Sequence, residues 1–385
     1  MGEREIYLDC AAATPCDPRV FAVMEPYFTS QFYNPSASYI AARRVREDVE
    51  AARQRLAMAI GAKPSEIIMT SGSTESINLA IHGVMDRNEG RVVVSRVEHM
   101  AVVQSASSYD PLWIEADARG YISSRAVQAA LTSETSLVSV GYINNELGTV
   151  QPLRDIARVV EAERSRRRAA GETRPLWLHT DASQAPGMLD LSVARLGIDM
   201  MTLGSGKCYG PKGVGLLWVC GGIELLPRID GGGQERGLRG GTENVAGIVG
   251  FAEALTRACD MRKTESHRIA QLRDRLQRQL CQAIPDLVVN GHTKQRAPHI
   301  LHVSLAGLDG ERAVYALDDR GIRVATGSAC AANRGTRSHV LTAVGMSDEL
   351  ADGSLRLSLG RMTTEEDIET ATAQIAEVLT RERGR

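Results

Sequence analysis

Between residues 65 and 220 the chain alternates short apolar runs with longer stretches of helical periodicity, and this alternation limits the fold more than any other feature. The runs are EIIMT, RVVVS, PLWIEA, SLVSVGYI, PLWLHTDA, IDMMTL and VGLLWV, each bounded by turn residues. Strands buried on both faces read as continuous apolar runs, and helical spacers supply the crossovers that parallel pairing requires. The pattern predicts an α/β, doubly wound sheet with mostly parallel strands. Upstream of it, Val45, Val49, Leu56 and Ile60 recur at helical spacing, and Gly61 stands where a left-handed residue would end that helix.

After residue 242 the pattern changes. ENVAGIVGFAEALTRACDMRKTESHRIAQLRDRLQRQL reads as one long helix, a spine between two parts of the molecule. Beyond it HILHVSLA, IRVAT and SLRLSLG read as strands and ERAVYALDDRG as a helix. A last helix is predicted to open at Thr363, with Glu366 in capping-box register. The 385 residues exceed the roughly 250–300 at which a single core stops growing. Two domains are therefore predicted: a large one over 15–255, and a smaller α+β one built from 1–14 and 256–385.

Charge and cysteine content narrow the function classes. Lys and Arg number 45 against 47 Asp and Glu, a net charge of −2, so the chain as a whole lacks the electrostatic footprint of direct nucleic-acid binding. Its one basic cluster, Arg164 to Arg168, reads as a solvated helix end. The seven cysteines, Cys10, Cys16, Cys208, Cys220, Cys259, Cys281 and Cys330, include no C-x-x-C pair and are odd in number, which argues against a disulfide framework or a zinc site. The start, MGEREIYLDC, has no signal-type apolar region, and Ile6 departs from the myristoylation pattern. With no long hydrophobic span, a cytoplasmic protein without membrane attachment is expected.

The chemistry gathers where strand-like runs end. IDMMTL runs into Lys207, PLWLHTDA ends on Asp181, RVVVS leads to His99, and SLVSVGYI leads to Asn144 and Asn145. In an open parallel sheet, ligands lie beyond the carboxyl ends of the strands. LGSGKCYGPKG departs twice from a nucleotide phosphate loop, with Met201 in place of the first Gly and Cys208 in place of Ser or Thr. A lysine and an acid at neighbouring strand ends suit pyridoxal 5'-phosphate, the amine joining its aldehyde and the acid keeping its pyridine nitrogen protonated. Spacing alone leaves an ordinary ion pair open. EIIMT runs into SGSTES and an apolar helix, a helix N-terminus able to take a phosphate, where Ser71, Ser73 and Thr74 read equally as caps. Cys330 lies among small residues in ATGSACAANRGTRSH, a loop setting unlike that of a packed cysteine.

Taken in order, SGSTES, VEH, NNELG, HTDASQ, KCYGPKG, GGGQERGLRGGTEN, TGSAC and SLRLSLGR resemble the cysteine desulfurases of the NifS and IscS type, in the class V aminotransferase family. The resemblance runs from YLDCAAATP to the final helix. It implies the fold of the fold type I pyridoxal-phosphate enzymes: a large domain on a mostly parallel mixed sheet, with a smaller C-terminal α+β domain. It implies conversion of L-cysteine to L-alanine, with the sulfur carried as a persulfide on Cys330 to an acceptor protein, an iron-sulfur scaffold or a tRNA-thiolating enzyme. It further implies a homodimer with shared active sites.

By the same resemblance, Lys207 anchors the cofactor, Asp181 partners the pyridine nitrogen, and Gln184 and Asn145 bind the phenolic oxygen. His99 stacks on the ring. Ser73, Thr74 and Ser205 surround the phosphate, which Thr242 reaches from the other subunit, and Arg356 grips the substrate carboxylate. The chain departs from the family at Gly204 and Gly206, where the motif is S-G-H-K, at AANRGTRSH, and at Tyr39 in place of a histidine. Other readings are a selenocysteine lyase, an aminotransferase, or a partner-binding subunit that has lost the chemistry.

Overall fold

The computed structural model describes residues 5–327 and 337–383. All seven predicted runs between 65 and 220 form strands of one sheet. These are β2 (Ile67–Thr70), β3 (Arg91–Ser95), β4 (Leu112–Ile114), β5 (Thr135–Ser139), β6 (Trp177–Asp181), β7 (Met200–Gly204) and β8 (Gly215–Val219), following a short β1 (Ile6–Tyr7). Their order is β2-β8-β7-β6-β5-β3-β4, and only β8 runs against its neighbours. The carboxyl ends of β2 through β7 therefore share one edge.

Period-two alternation divides the strands between the two faces. Val93, Val138, Met201 and Leu203 enter one hydrophobic cluster, and Val92, Val94, Leu137 and Met200 enter the other. The helix Ser73–Met85 covers the second face with Ile77, Leu79, Ala80 and Ile81, each essentially inaccessible. The helix Ile40–Ile60 packs on the first and ends, as predicted, on Gly61 at φ 72°.

A separate cluster lies around the antiparallel sheet of β9 (Val288–Asn290), β10 (Ile300–Ser304) and β12 (Ser354–Ser358). Ile6 and Leu8 join it from the start of the chain. The predicted strand IRVAT shortens to β11 (Ile322–Arg323), paired with β1, and one further bridge joins Ala325 to Arg356. The spine is a 39-residue helix, Val245–Ala283. Its first half feeds Phe251 and Leu255 to the large-sheet cluster, and its second half feeds Leu272 and Leu276 to the other.

Two local expectations are corrected. The last helix is capped by Thr364, whose hydroxyl accepts from the Asp367 amide at 3.1 Å, because Thr363 spends its own hydroxyl on the Gly360 amide. The Arg164–Arg168 cluster is not wholly solvated: Arg167 is 2% exposed and donates to the carbonyls of Thr132 and Thr135, both at 2.8 Å. No helix among the described residues is long and apolar enough to cross a membrane.

Candidate active site

At the shared carboxyl edge lies a cavity of about 250 Å³, lined among others by Ser73, His99, Asp181, Gln184, Lys207 and Arg356. Asp181 is the last residue of β6, four others follow strand ends of the large sheet, and Arg356 reaches in from β12. Asn145 also lines it. Asn144 does so with its side chain committed elsewhere, accepting from the amides of Glu146 and Leu147 and donating to the Val97 carbonyl at 2.8 Å.

β7 ends at Gly204 and passes into a single tight turn, Ser205–Lys207. The chain start packs against that turn. The Thr14 hydroxyl donates to the Gly206 carbonyl and accepts from the Tyr209 amide, and Lys207 Nζ donates to the carbonyl of Ala11 at 3.0 Å and to that of Ala12. YLDCAAATP thus forms the wall against which the lysine is held.

His99 caps the helix Met100–Ala106 by accepting the Ala101 amide on Nδ1 at 3.1 Å. When the ring is neutral its proton is therefore on Nε2. Beneath it, Glu98 is fully buried, and both its oxygens accept the Gly141 amide at 2.9 Å. Burial pushes this carboxyl up to about 7. A Cβ at position 141 would stand 2.9 Å from Glu98 Oε2, so any larger residue there would push that carboxylate aside.

Asp181 accepts the Ser183 amide on Oδ1 at 2.9 Å, a turn that points the Ser183 hydroxyl at Ser73. Gln184 Nε2 donates to the Ala11 carbonyl at 2.9 Å, and its Oε1 stands 3.3 Å from His299 Nε2. Burial holds the His299 ring down to about 3, so it is neutral and its Nε2 proton serves Gln184. Arg356 is 2% exposed. It donates to the Asn145 carbonyl at 3.0 Å and to Asp9 at 2.7 Å, while its buried Nε has no hydrogen-bond partner among the described residues.

Three sequence-derived candidates lie off the cavity. Thr74 and Thr242 are exposed, and Ser205 is buried with its hydroxyl against Gly210, where a Cβ would meet it at 2.0 Å. The turn that presents Lys207 rotates the Ser205 side chain inward. Cys330 lies outside the described residues. Beyond it in sequence, Ser338 donates to Glu146 at 2.5 Å and His339 Nε2 approaches the Glu98 carbonyl at 2.8 Å. Asp9, Glu98, Ser183 and His299 were not singled out from the sequence. Three of them carried a signal, each standing inside a quoted motif: Asp9 in YLDCAAATP, Glu98 in VEH and Ser183 in HTDASQ.

The family model of the class-V aminotransferases matches residues 6–370. The chain is similar to the cysteine desulfurase IscS of Dictyoglomus turgidum, with 38% identity covering 95% of this chain and 92% of that one. Among solved structures, a NifS-like protein matches with a TM-score of 0.89 at 30% identity, covering 98% of this chain and 100% of that one. SspA in complex with cysteine matches at 0.77 and 33% identity, covering 92% and 98%. The matched residues embrace every segment that builds the cavity, and the chain belongs to the class-V aminotransferase family, among its cysteine desulfurases.

Proposed function

We propose that this protein takes the sulfur of L-cysteine onto Cys330, releases L-alanine, and works with pyridoxal 5'-phosphate. The observation that carries the reading is the convergence of Lys207, Asp181, His99, Gln184 and Arg356 on one cavity from separate segments. The donor set suits the cofactor. An amine stands ready for its aldehyde, a carboxylate for its ring nitrogen, the amides of Gln184 and Asn145 for its phenolic oxygen, and the Ser73 hydroxyl for its phosphate at a helix N-terminus. When bound, the cofactor supplies a ring that takes up the electron pair left on the substrate α-carbon.

The chain's own residues supply the rest. Arg356 is held on two sides, and its buried Nε has no partner among the described residues, a setting for the substrate carboxylate. Lys207 Nζ, at the cavity wall, takes the α-proton. His99, lining the cavity, would stack on the ring of the bound cofactor and present its Nε2–H to the reacting groups. The Cys330 thiolate attacks the substrate sulfur, the S–S bond forms as the C–S bond breaks, and the bond electrons pass to carbon, which is protonated. Thiol and L-cysteine become persulfide and L-alanine with no outside oxidant.

Ser205, turned inward against Gly210, takes no part in the phosphate shell, and Thr74, exposed beside Ser73 in the same first turn, is proposed to contribute to it. Thr242, exposed in this chain, fits contact with the phosphate of a second copy, and the protein is proposed to act as a cytoplasmic homodimer. The 15–255 and 1–14 plus 256–385 division is proposed as its domain plan, supported by one hydrophobic cluster whose buried members all come from 6–8 and 269–379. The persulfide is proposed to pass to an iron-sulfur scaffold or a tRNA-thiolating enzyme.

The test is direct. Purified protein should show a visible cofactor absorption band and form alanine and sulfide in equal amounts from L-cysteine with a reductant. A protein that takes up no pyridoxal 5'-phosphate would overturn the reading.

A further inference from the structure

The backbone at Gly204 is extended, at φ −121° and ψ 131°, so its conformation does not call for glycine. Space does. A Cβ built at 204 would stand 2.2 Å from the Ser73 hydroxyl oxygen, a contact no side chain survives without moving that hydroxyl. Gly206 is different: the nearest atom to a Cβ there is Lys212 Cγ at 3.6 Å, an ordinary contact. Of the two glycines flanking Ser205, only Gly204 is crowded, and the Ser73 hydroxyl is the group that would have to turn away to admit a side chain there.

Ser73 opens the helix Ser73–Met85 and faces the cavity. Its N-cap is Gly72, at φ 148°, which offers no side chain to the first-turn amides. The Ser183 hydroxyl donates to Ser73 Oγ at 2.9 Å. A serine that accepts from one neighbour keeps its single proton to give to another. Ser183 is itself fixed by the Asp181 carboxylate through its amide. One turn after β6 therefore sets both the partner for the cofactor's nitrogen and the orientation of a hydroxyl at the helix N-terminus.

We infer that the cofactor's phosphate is gripped by the Ser73 hydroxyl, with Ser183 as its positioning residue, and that Ser73 and Gly204 form an exchange pair in which a hydroxyl can be carried at one position or the other but not at both. This rests on the pyridoxal-phosphate reading above. The residue at 204 adjoins the same space as Ser73, so a serine there supplies an equivalent donor once the Ser73 oxygen is removed.

The experiment titrates full-length protein, stripped of cofactor, with pyridoxal 5'-phosphate and separately with pyridoxal, and follows absorbance. A hydrogen bond to a charged acceptor is worth about tenfold or more in affinity. Ser73→Ala should weaken pyridoxal 5'-phosphate binding by about tenfold and leave pyridoxal binding unchanged, since pyridoxal has no phosphate. Ser183→Ala should weaken it by a smaller factor in the same selective way. Gly204→Ser alone should weaken it, and the double variant Ser73→Ala/Gly204→Ser should bind more tightly than either single variant. Circular dichroism of each variant checks folding, and recovery in the double variant is itself a readout that general damage does not produce.

Unchanged phosphate selectivity in Ser73→Ala, or a double variant no better than Gly204→Ser, overturns the inference while leaving the cofactor reading intact. A wild-type protein that binds neither compound overturns both.

Discussion

Arg356 Nη2 lies 2.7 Å from Asp9 Oδ1, joining β12 to the segment that also supplies the main-chain acceptors of Lys207. The guanidinium is almost wholly enclosed, so the carboxylate both balances its charge and fixes the direction in which its remaining donors face. Arg356 can thus address an anion in the cavity without swinging.

Removing that balance should be felt twice. Asp9→Ala leaves a buried cation uncompensated, which costs on the order of 3–5 kcal/mol of stability. Asp9→Asn keeps the shape and an acceptor, so it should stay folded and raise KM for L-cysteine by about tenfold, one lost charge-assisted contact's worth, with a smaller change in kcat. Thermal unfolding and steady-state alanine formation check the two halves, and an unchanged KM in Asp9→Asn would show that Arg356 does not depend on Asp9.

The Cys330 thiol is the proposed sulfur acceptor. Cys330→Ala should retain the cofactor's visible absorption and bind L-cysteine with a spectral change, yet form no protein-bound persulfide and no sulfide. Full activity in that variant would transfer the protein to the selenocysteine lyase or aminotransferase reading, which needs no such thiol.

Much of this was legible before the structure. The strand runs were visible because a sheet covered on both faces writes itself as uninterrupted apolar segments. Lys207, Asp181 and His99 were visible because each stands at or just past the end of such a run. Ser205 was misplaced because a single tight turn decides which of two neighbouring side chains faces the cavity, and sequence carries no record of that rotation. Arg167 was hidden in a run of arginines in which Arg166 and Arg168 behave as surface charge. Ser183 and His299 act through partners more than a hundred residues away, a relation that local spacing does not encode.

Glu98 should leave a pH signature. Its folded value, about 7, lies above the ordinary 4.5, so between those pH values the folded protein holds a proton that the unfolded chain gives up. The contribution is present below about pH 4.5 and is lost as pH rises through 7. Glu98→Gln removes it, so the stability difference between variant and wild type should shift toward the variant across that window, by roughly 3 kcal/mol at most. Denaturant unfolding from pH 5 to 8 measures it, and a pH-independent difference would mean that Glu98 stays ionised.

His299 gives its Nε2 proton to the Gln184 side chain, which fixes which end of that amide faces the cavity. His299→Phe should preserve the packing while releasing Gln184 to turn over. The cofactor absorption maximum should move and cofactor affinity should fall by about fivefold, a modest hydrogen-bond effect. An unchanged spectrum would show that Gln184 is held by the Ala11 carbonyl alone.

The helix Val245–Ala283 gives the molecule its mechanical character. At about 1.5 Å per residue it is a rod nearly 60 Å long. From residue 259 to 268 none of its side chains is buried, while both ends are embedded in separate hydrophobic clusters. Neither cluster can melt without stripping one end of the rod of the packing that holds it helical. Heat should therefore unfold both in a single calorimetric transition.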